Sequence, residues 1–150
     1  MTIDKNTILP MPDSSNTPGM FQRIEAVIQL IPKGRISSYG DIAAFAGGVT
    51  PRHVGFALAA SDGRLPWHRV VNAQGAVSLR GSDAMAQQHE LLAAEGIEFN
   101  QQDEIDWRIF GWEGPPLDWF IDQGREVEEA IALLSKIAAR HEKQSKNYSK

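Results

Sequence analysis

The 150-residue chain contains no cysteine. That excludes disulfides, thiolate metal sites and a cysteine nucleophile. Histidine is scarce too: the four stand at positions 53, 68, 89 and 141, and none form the H-x-x-x-H pair that a helix offers a metal ion. No metal site and no cofactor are therefore expected. The sequence has no apolar run of membrane-spanning length, and residues 1–20 lack a charged-then-apolar signal pattern. A cytoplasmic protein with no membrane partner is the expectation. A basic excess is also missing. The net charge is −4, which ordinarily counts against a nucleic-acid partner. The charge is unevenly spread, however. Between Met20 and Phe99 seven Lys/Arg face seven Asp/Glu, and after Asn100 ten acids face seven bases. A neutral central region can present a local basic face, with modest non-specific affinity for DNA.

With 42% hydrophobic and 23% charged residues, the composition is that of a soluble globular protein with one proper core. Residues 1–17 show no periodicity and read as a flexible leader. Phe21, Ile24, Val27 and Ile28 give one apolar face to a helix over 18–30, stopped by Pro32 and Gly34. Ser38 with Asp41 forms a helix-start signal, and Gly47-Gly48 supplies the exit. Thr50-Pro51 starts a second short helix that ends at Ser61-Asp62-Gly63. Two short helices about a glycine turn read as a helix-turn-helix or as a plain αα-hairpin.

Beyond Gly63, Leu65 to Val77 suggests a small β-hairpin about Asn72-Ala73-Gln74-Gly75. A helix over 83–95 follows, capped by Ser82 and stopped by Gly96. Residues 100–120 look loop-like and aromatic, and 123–143 form an amphipathic helix with Val127, Ile131, Leu134 and Ala138 on one stripe. The expected architecture is mainly α with a small β-hairpin, a winged-helix-like domain containing a helix-turn-helix. It divides into the leader, a domain over 18–114, and a C-terminal extension over 115–150 whose helix packs on that domain, pairs with another copy or binds a partner.

The segment Pro66-Trp67-His68-Arg69-Val70 resembles the P-C-H-R-V active-site motif of O6-alkylguanine-DNA alkyltransferases, with tryptophan in place of cysteine. That replacement resembles the alkyltransferase-like proteins. Three flanking stretches agree: Ile31 to Gly40 with I-P-x-G-x-V-S-x-Y-G, Arg52-His53-Val54-Gly55 with R-x-V-G, and Leu91 to Gly96 with L-L-x-x-E-G. Two features depart from the repair enzymes. The loop Ala60 to Leu65 is shorter and lacks an asparagine before the motif, and the chain after about Gly114 exceeds the compact form.

The resemblance implies a non-enzymatic protein that binds O6-alkylguanine in double-stranded DNA. It would rotate the nucleotide out of the helix, and then signal to nucleotide excision repair proteins, acting as a monomer. An extruded base leaves a gap, and lost stacking costs a few kcal/mol. By resemblance Arg52 is the finger that fills it; read alone, it is a surface arginine on a phosphate or an acid. Tyr39 would meet the DNA backbone and the flipped base, or sit half-buried between helices. Pro66, Trp67 and Val70 would line the alkylguanine pocket; without its motif, Trp67 reads as a core residue. Arg80 would lie over the base as a cation–π partner, or face solvent from a loop. His68 and Glu95 match the proton relay that activates the missing cysteine, so they should remain as a structural pair. The alternative function is a sequence-specific helix-turn-helix regulator, which predicts preference for a DNA sequence regardless of alkylation.

Overall fold

The computed structural model describes residues 19–77 and 82–148. Its elements are α1 (Met20–Gln29), β1 (Ser37–Ser38), α2 (Tyr39–Ala46), α3 (Pro51–Ser61), a 3-10 turn (Trp67–Arg69), β2 (Val70–Val71), α4 (Ser82–Ala94), α5 (Trp107–Phe110), α6 (Leu117–Asp122) and α7 (Val127–Tyr148). The residues 1–17 read as a leader lie outside the described part.

Local chemistry sets the helix boundaries that matter most for the site. The Ser38 hydroxyl accepts a hydrogen bond from the Asp41 amide at 3.0 Å, which starts α2. Thr50 does the same for the His53 amide at 3.3 Å, and Pro51 takes the first position of α3, where it has no hydrogen bond to lose. Between these helices the backbone takes φ of +80° at Gly47 and +72° at Gly48. Side chains resist that left-handed region, so the two glycines permit the tight turn of the helix-turn-helix.

Helices α1, α2 and α3 enclose the main core around Ile24, Val27, Phe45 and Val54, all fully buried. Helix α7 closes the same core through Ala130 and Ile137, buried with Phe120 of α6 against Phe45. Of the stripe expected from the sequence, Leu134 is partly buried against this core, whereas Val127 and Ile131 are exposed, because the packed face is centred on Ala130 and Ile137 instead. A second cluster, Ile36, Val71, Leu92, Ile97, Ile105 and Trp107, lies beneath α4. Residues 100–120, read as loop, contain α5 and α6. Their aromatic side chains serve as packing: Trp107 is buried in the second cluster, and Trp112 meets Phe45 edge-on at 5.5 Å. Among the described residues no helix is long and apolar enough to cross a membrane.

The small sheet is present, but its pairing differs from the expected hairpin. Val70 and Val71 pair in parallel with Ser37 and Ser38. The Asn72 turn does form, with Asn72 Oδ1 accepting from the amides of Gln74 and Ala76 at 3.0 Å each. Among the described residues one ladder-like bond crosses it, from the Asn72 amide to the Ala76 carbonyl at 3.1 Å. The physical reason lies in competition for backbone groups. The buried Gln88 side chain donates to the carbonyls of His68 (3.1 Å) and Val70 (2.9 Å), so the acceptors a hairpin partner would need are already taken.

Candidate nucleic-acid interface

Helix α3 presents two faces to the surface near the cavity. Arg52, at its second position, is exposed, and its guanidinium carbon lies 5.5 Å from the ring centre of Phe56 one turn on. Phe56 is itself half exposed. The adjoining face presents Gly55, Leu58, Ala59 and Asp62, the i, i+3, i+4, i+7 spacing of one helical stripe. This stripe forms one wall of a cavity of about 590 Å³. Tyr39 from the first turn of α2, Gly63 just after α3, Trp67 from the 3-10 turn, and Ala84, Gln87 and Gln88 from α4 complete it. Such a volume falls within the ~300–1,000 Å³ typical of small-ligand pockets. The wall is low because Gly55 and Ala59 are small: a Cβ added at Gly55 would meet nothing within 4 Å.

Of the residues singled out from the sequence, Tyr39 and Trp67 meet at this cavity, and Arg52 stands one turn before Gly55 on the wall helix. Pro66 caps the 3-10 turn half-buried and is not among the lining residues. Val70 does not line the cavity either. It is fully buried in the main core, because strand pairing with Ser37 fixes its side chain inward. Arg80 lies outside the described residues. Sequence reasoning missed the α3 stripe and both glutamines. The stripe had a readable signal in its spacing of small residues, whereas Gln88 had none, since a polar helix residue ordinarily reads as exposed.

Behind Trp67 lies a dense ionic network. His68 Nε2 is 2.7 Å from Glu95 Oε2, and Arg69 Nη2 is 2.7 Å from the same oxygen. The Arg69 Nε donates to both carboxylate oxygens at 3.1 Å, and the Gly34 amide donates to Oε1 at 2.9 Å. Burial by itself would raise the Glu95 pKa, but the hydrogen bonds from Arg69, Gly34 and His68 outweigh it and bring it down to about 2. Glu95 is thus an acceptor-only carboxylate, so His68 Nε2 carries the proton between them. Arg69 also donates to the Ile31 carbonyl at 2.9 Å, which ties the Trp67 turn to the end of the α1 segment. The network fixes the backbone that presents Trp67. Among the described residues, no cluster of three or more His, Asp or Glu is arranged to hold a metal ion.

Residues 19–97 match the family described as 6-O-methylguanine DNA methyltransferase, DNA binding domain. A DNA base-flipping protein of Vibrio parahaemolyticus is 46% identical over 95 residues, covering 61% of this chain and 93% of that protein. The chain belongs to the alkyltransferase-like family. Its similarity extends to a DNA base-flipping protein of Escherichia coli, 39% identical over 94 residues (61% of this chain, 72% of that protein). Among solved structures, the alkyltransferase-like protein of Schizosaccharomyces pombe, in complex with damaged DNA containing O6-carboxymethylguanine, superposes with a TM-score of 0.56. It is 30% identical, covering 64% of this chain and 94% of that one. The family match contains every cavity wall and Glu95, while α5, α6 and α7 lie beyond it. In this alkyltransferase-like chain those later helices reach back to the helix-turn-helix. Arg125 donates to the carbonyls of Phe45 (2.9 Å) and Ala44 (3.5 Å) at the end of α2. Arg140 bonds the buried carboxylate of Asp41 near its start. Arg125 complements the C-terminal end of the α2 dipole, and Arg140 pairs with a buried charge near its start, so both ends of α2 are tied to the later part of the chain.

Proposed function

We propose that this protein recognises O6-alkylguanine in duplex DNA by holding the extruded nucleotide in the α2–α3–α4 cavity, and that it performs no chemistry on it. The observation that carries this reading is Trp67 on the cavity wall beside the intact His68–Glu95 pair. The pair has the form of a proton relay, but the group it would serve is an indole, whose N–H is not a usable nucleophile. With no cysteine anywhere in the chain, alkyl transfer by the family's thiol chemistry has no acceptor. Trp67 instead offers a broad apolar face against which an alkyl group loses its water. The relatives named base-flipping proteins, and the fungal complex with damaged DNA, support the same reading.

In this mechanism α3 enters the groove, Arg52 leaves its position over Phe56 and occupies the gap left by the flipped base, and Tyr39 bears on the sugar-phosphate backbone. The Arg69–Glu95 network keeps the pocket loop in place without taking part in any reaction. Repair itself is then carried out by excision proteins that the bound, distorted lesion attracts.

The test is binding of the full chain to matched duplexes containing O6-methylguanine or guanine. Preference for the lesion, with the base recovered intact and the protein unlabelled after prolonged incubation, is the expected result. Equal affinity for the two duplexes refutes recognition; methyl transfer or base release refutes the absence of catalysis. Arg52→Ala should weaken binding to every lesion roughly 10-fold, since the cost of unstacking is no longer offset by insertion.

A further inference from the structure

Phe56 is the largest apolar side chain that α3 leaves in solvent. It is 50% exposed and belongs to neither buried cluster, so the fold makes little use of its ring. The helix sets its direction. Arg52, Phe56 and Ala59 follow at spacings of four and three and are all exposed, while Val54 and Ala57 on the far side are fully buried. Arg52 and Phe56 therefore share the outward face that borders the cavity stripe. The guanidinium carbon of Arg52, 5.5 Å from the Phe56 ring centre, agrees with that placement.

A single exposed apolar residue is ordinary on a protein surface. One placed beside the side chain that enters the base stack is not, because whatever carries Arg52 into the gap carries Phe56 to the DNA as well. The rest of the helix points to the same chemistry. From residue 53 to residue 61 there is no lysine or arginine, so α3 has no second cation for a phosphate, and its outward surface past Arg52 is Phe56, Ala59 and Ala60. Such a surface suits sugars and bases, which offer apolar faces, and not the charged backbone. We infer that Phe56 is a second wedge, which enters the base stack beside the lesion once Arg52 has left its ring for the gap. Side chains four apart on a helix have Cβ atoms about 5–6 Å apart. Bases stack at about 3.4 Å per step, so with Arg52 in the gap the ring meets the duplex about two steps away. Phenylalanine inserted at a base step partly unstacks it and kinks the helix. The Arg52–Phe56 contact of the free protein is then exchanged for two contacts with DNA, one cationic and one apolar.

The inference rests on lesion binding with Arg52 in the gap, and the experiment separates the two. The full chain, as wild type, Phe56→Ala and Phe56→Leu, is titrated with duplexes carrying O6-methylguanine or guanine. In a second set of duplexes 2-aminopurine, which brightens when unstacked, is placed two pairs from the lesion on either side. Phe56→Ala should bind the O6-methylguanine duplex about 10-fold more weakly, the loss typical of an aromatic anchor at an interface. Phe56→Leu keeps an apolar wedge without a ring and should stay within about 3-fold of the wild type. The wild-type chain should brighten the probe on one side of the lesion, and Phe56→Ala should leave that probe dark. Thermal unfolding of both variants should match the wild type, since the ring lies outside the core clusters. A ring that only parks Arg52 predicts the opposite sign: both substitutions would free the finger and tighten binding about 2–5-fold. Tighter or unchanged binding by Phe56→Ala overturns the wedge, as does a probe that still brightens in that variant. Phe56→Leu falling as far as Phe56→Ala overturns its apolar character. No preference for O6-methylguanine over guanine in the wild-type chain would instead refute lesion recognition itself.

Discussion

Glu95 makes the sharpest physical prediction, because one carboxylate receives bonds from two segments far from it in the chain, Gly34 and the His68–Arg69 turn. Its side chain is 10% exposed, so solvent screens these bonds little. A pKa lowered from 4.5 to about 2 corresponds, at ~1.4 kcal/mol per pH unit, to roughly 3 kcal/mol of folding free energy. The sign follows from the direction. A carboxyl that ionises more readily in the folded state contributes fully above the unfolded pKa of 4.5, and the contribution fades as pH falls from there to about 2. Urea unfolding of the wild-type chain and Glu95→Gln at pH 7, 4.5, 3.5 and 2.5 measures it. At pH 7 the substitution should cost about 3 kcal/mol, because Arg69 is left as a partly buried cation with a neutral partner. By pH 2.5 the gap between the two proteins should shrink to under about 1 kcal/mol, since the wild-type carboxyl is then largely protonated in U and increasingly so in N. Other carboxylates titrate over the same range, but they do so in both proteins and cancel in the difference. Parallel loss of stability in the two proteins from pH 7 to 2.5 would show that Glu95 is not held ionised by this network.

The cavity itself allows stability and binding to be separated. Gly55→Leu puts a side chain into open space, since a Cβ there meets nothing within 4 Å, and relieves a helix-interior glycine. Thermal unfolding should show stability unchanged or raised by up to ~1 kcal/mol, while titration with an O6-methylguanine duplex shows the lesion preference abolished. Trp67→Ala should leave duplex affinity largely intact but flatten the ranking of alkyl groups, measured across O6-methyl, ethyl and propyl lesions; each methylene buried against the indole is worth ~0.8 kcal/mol, about 4-fold. Gly111→Ala should destabilise by about 1–3 kcal/mol in chemical denaturation, because the added methyl would lie 2.5 Å from the Trp107 carbonyl oxygen and within 2.9 Å of the His141 ring.

Much of the framework was legible because its determinants are local. The caps at Ser38 and Thr50, the proline at position 51 and the glycines at 47 and 48 act within a few residues of themselves, so reading them needs no tertiary knowledge. The Pro66 to Val70 motif carried the family resemblance in the same way. Other features depended on partners far along the chain. The Asn72 turn looked like a hairpin because turn chemistry is local, but the partner of Val70 was settled by Ser37 and by the amide of Gln88, 18 residues away. The motif places Val70 close to Trp67 in sequence, but the chain leaves the 3-10 turn for a strand at Val70, and pairing with Ser37 puts its side chain in the main core.

The sequence by itself determined that no thiol chemistry is available, that two short helices about a glycine turn lie in the first half of the chain, and that tryptophan stands at the motif's centre. Tertiary structure decided what surrounds that tryptophan. Only folding brings the small-residue stripe of α3 and the glutamines of α4 to one cavity, and only burial takes Gln88, a polar helix residue, out of solvent. It also decided that Glu95 stays ionised, since its state depends on Arg69 and Gly34, 26 and 61 residues distant in the chain. Helix caps and turns are short-range interactions written in neighbouring residues. Cavities and charge states are sums over long-range neighbours, and those exist only once the chain has closed on itself.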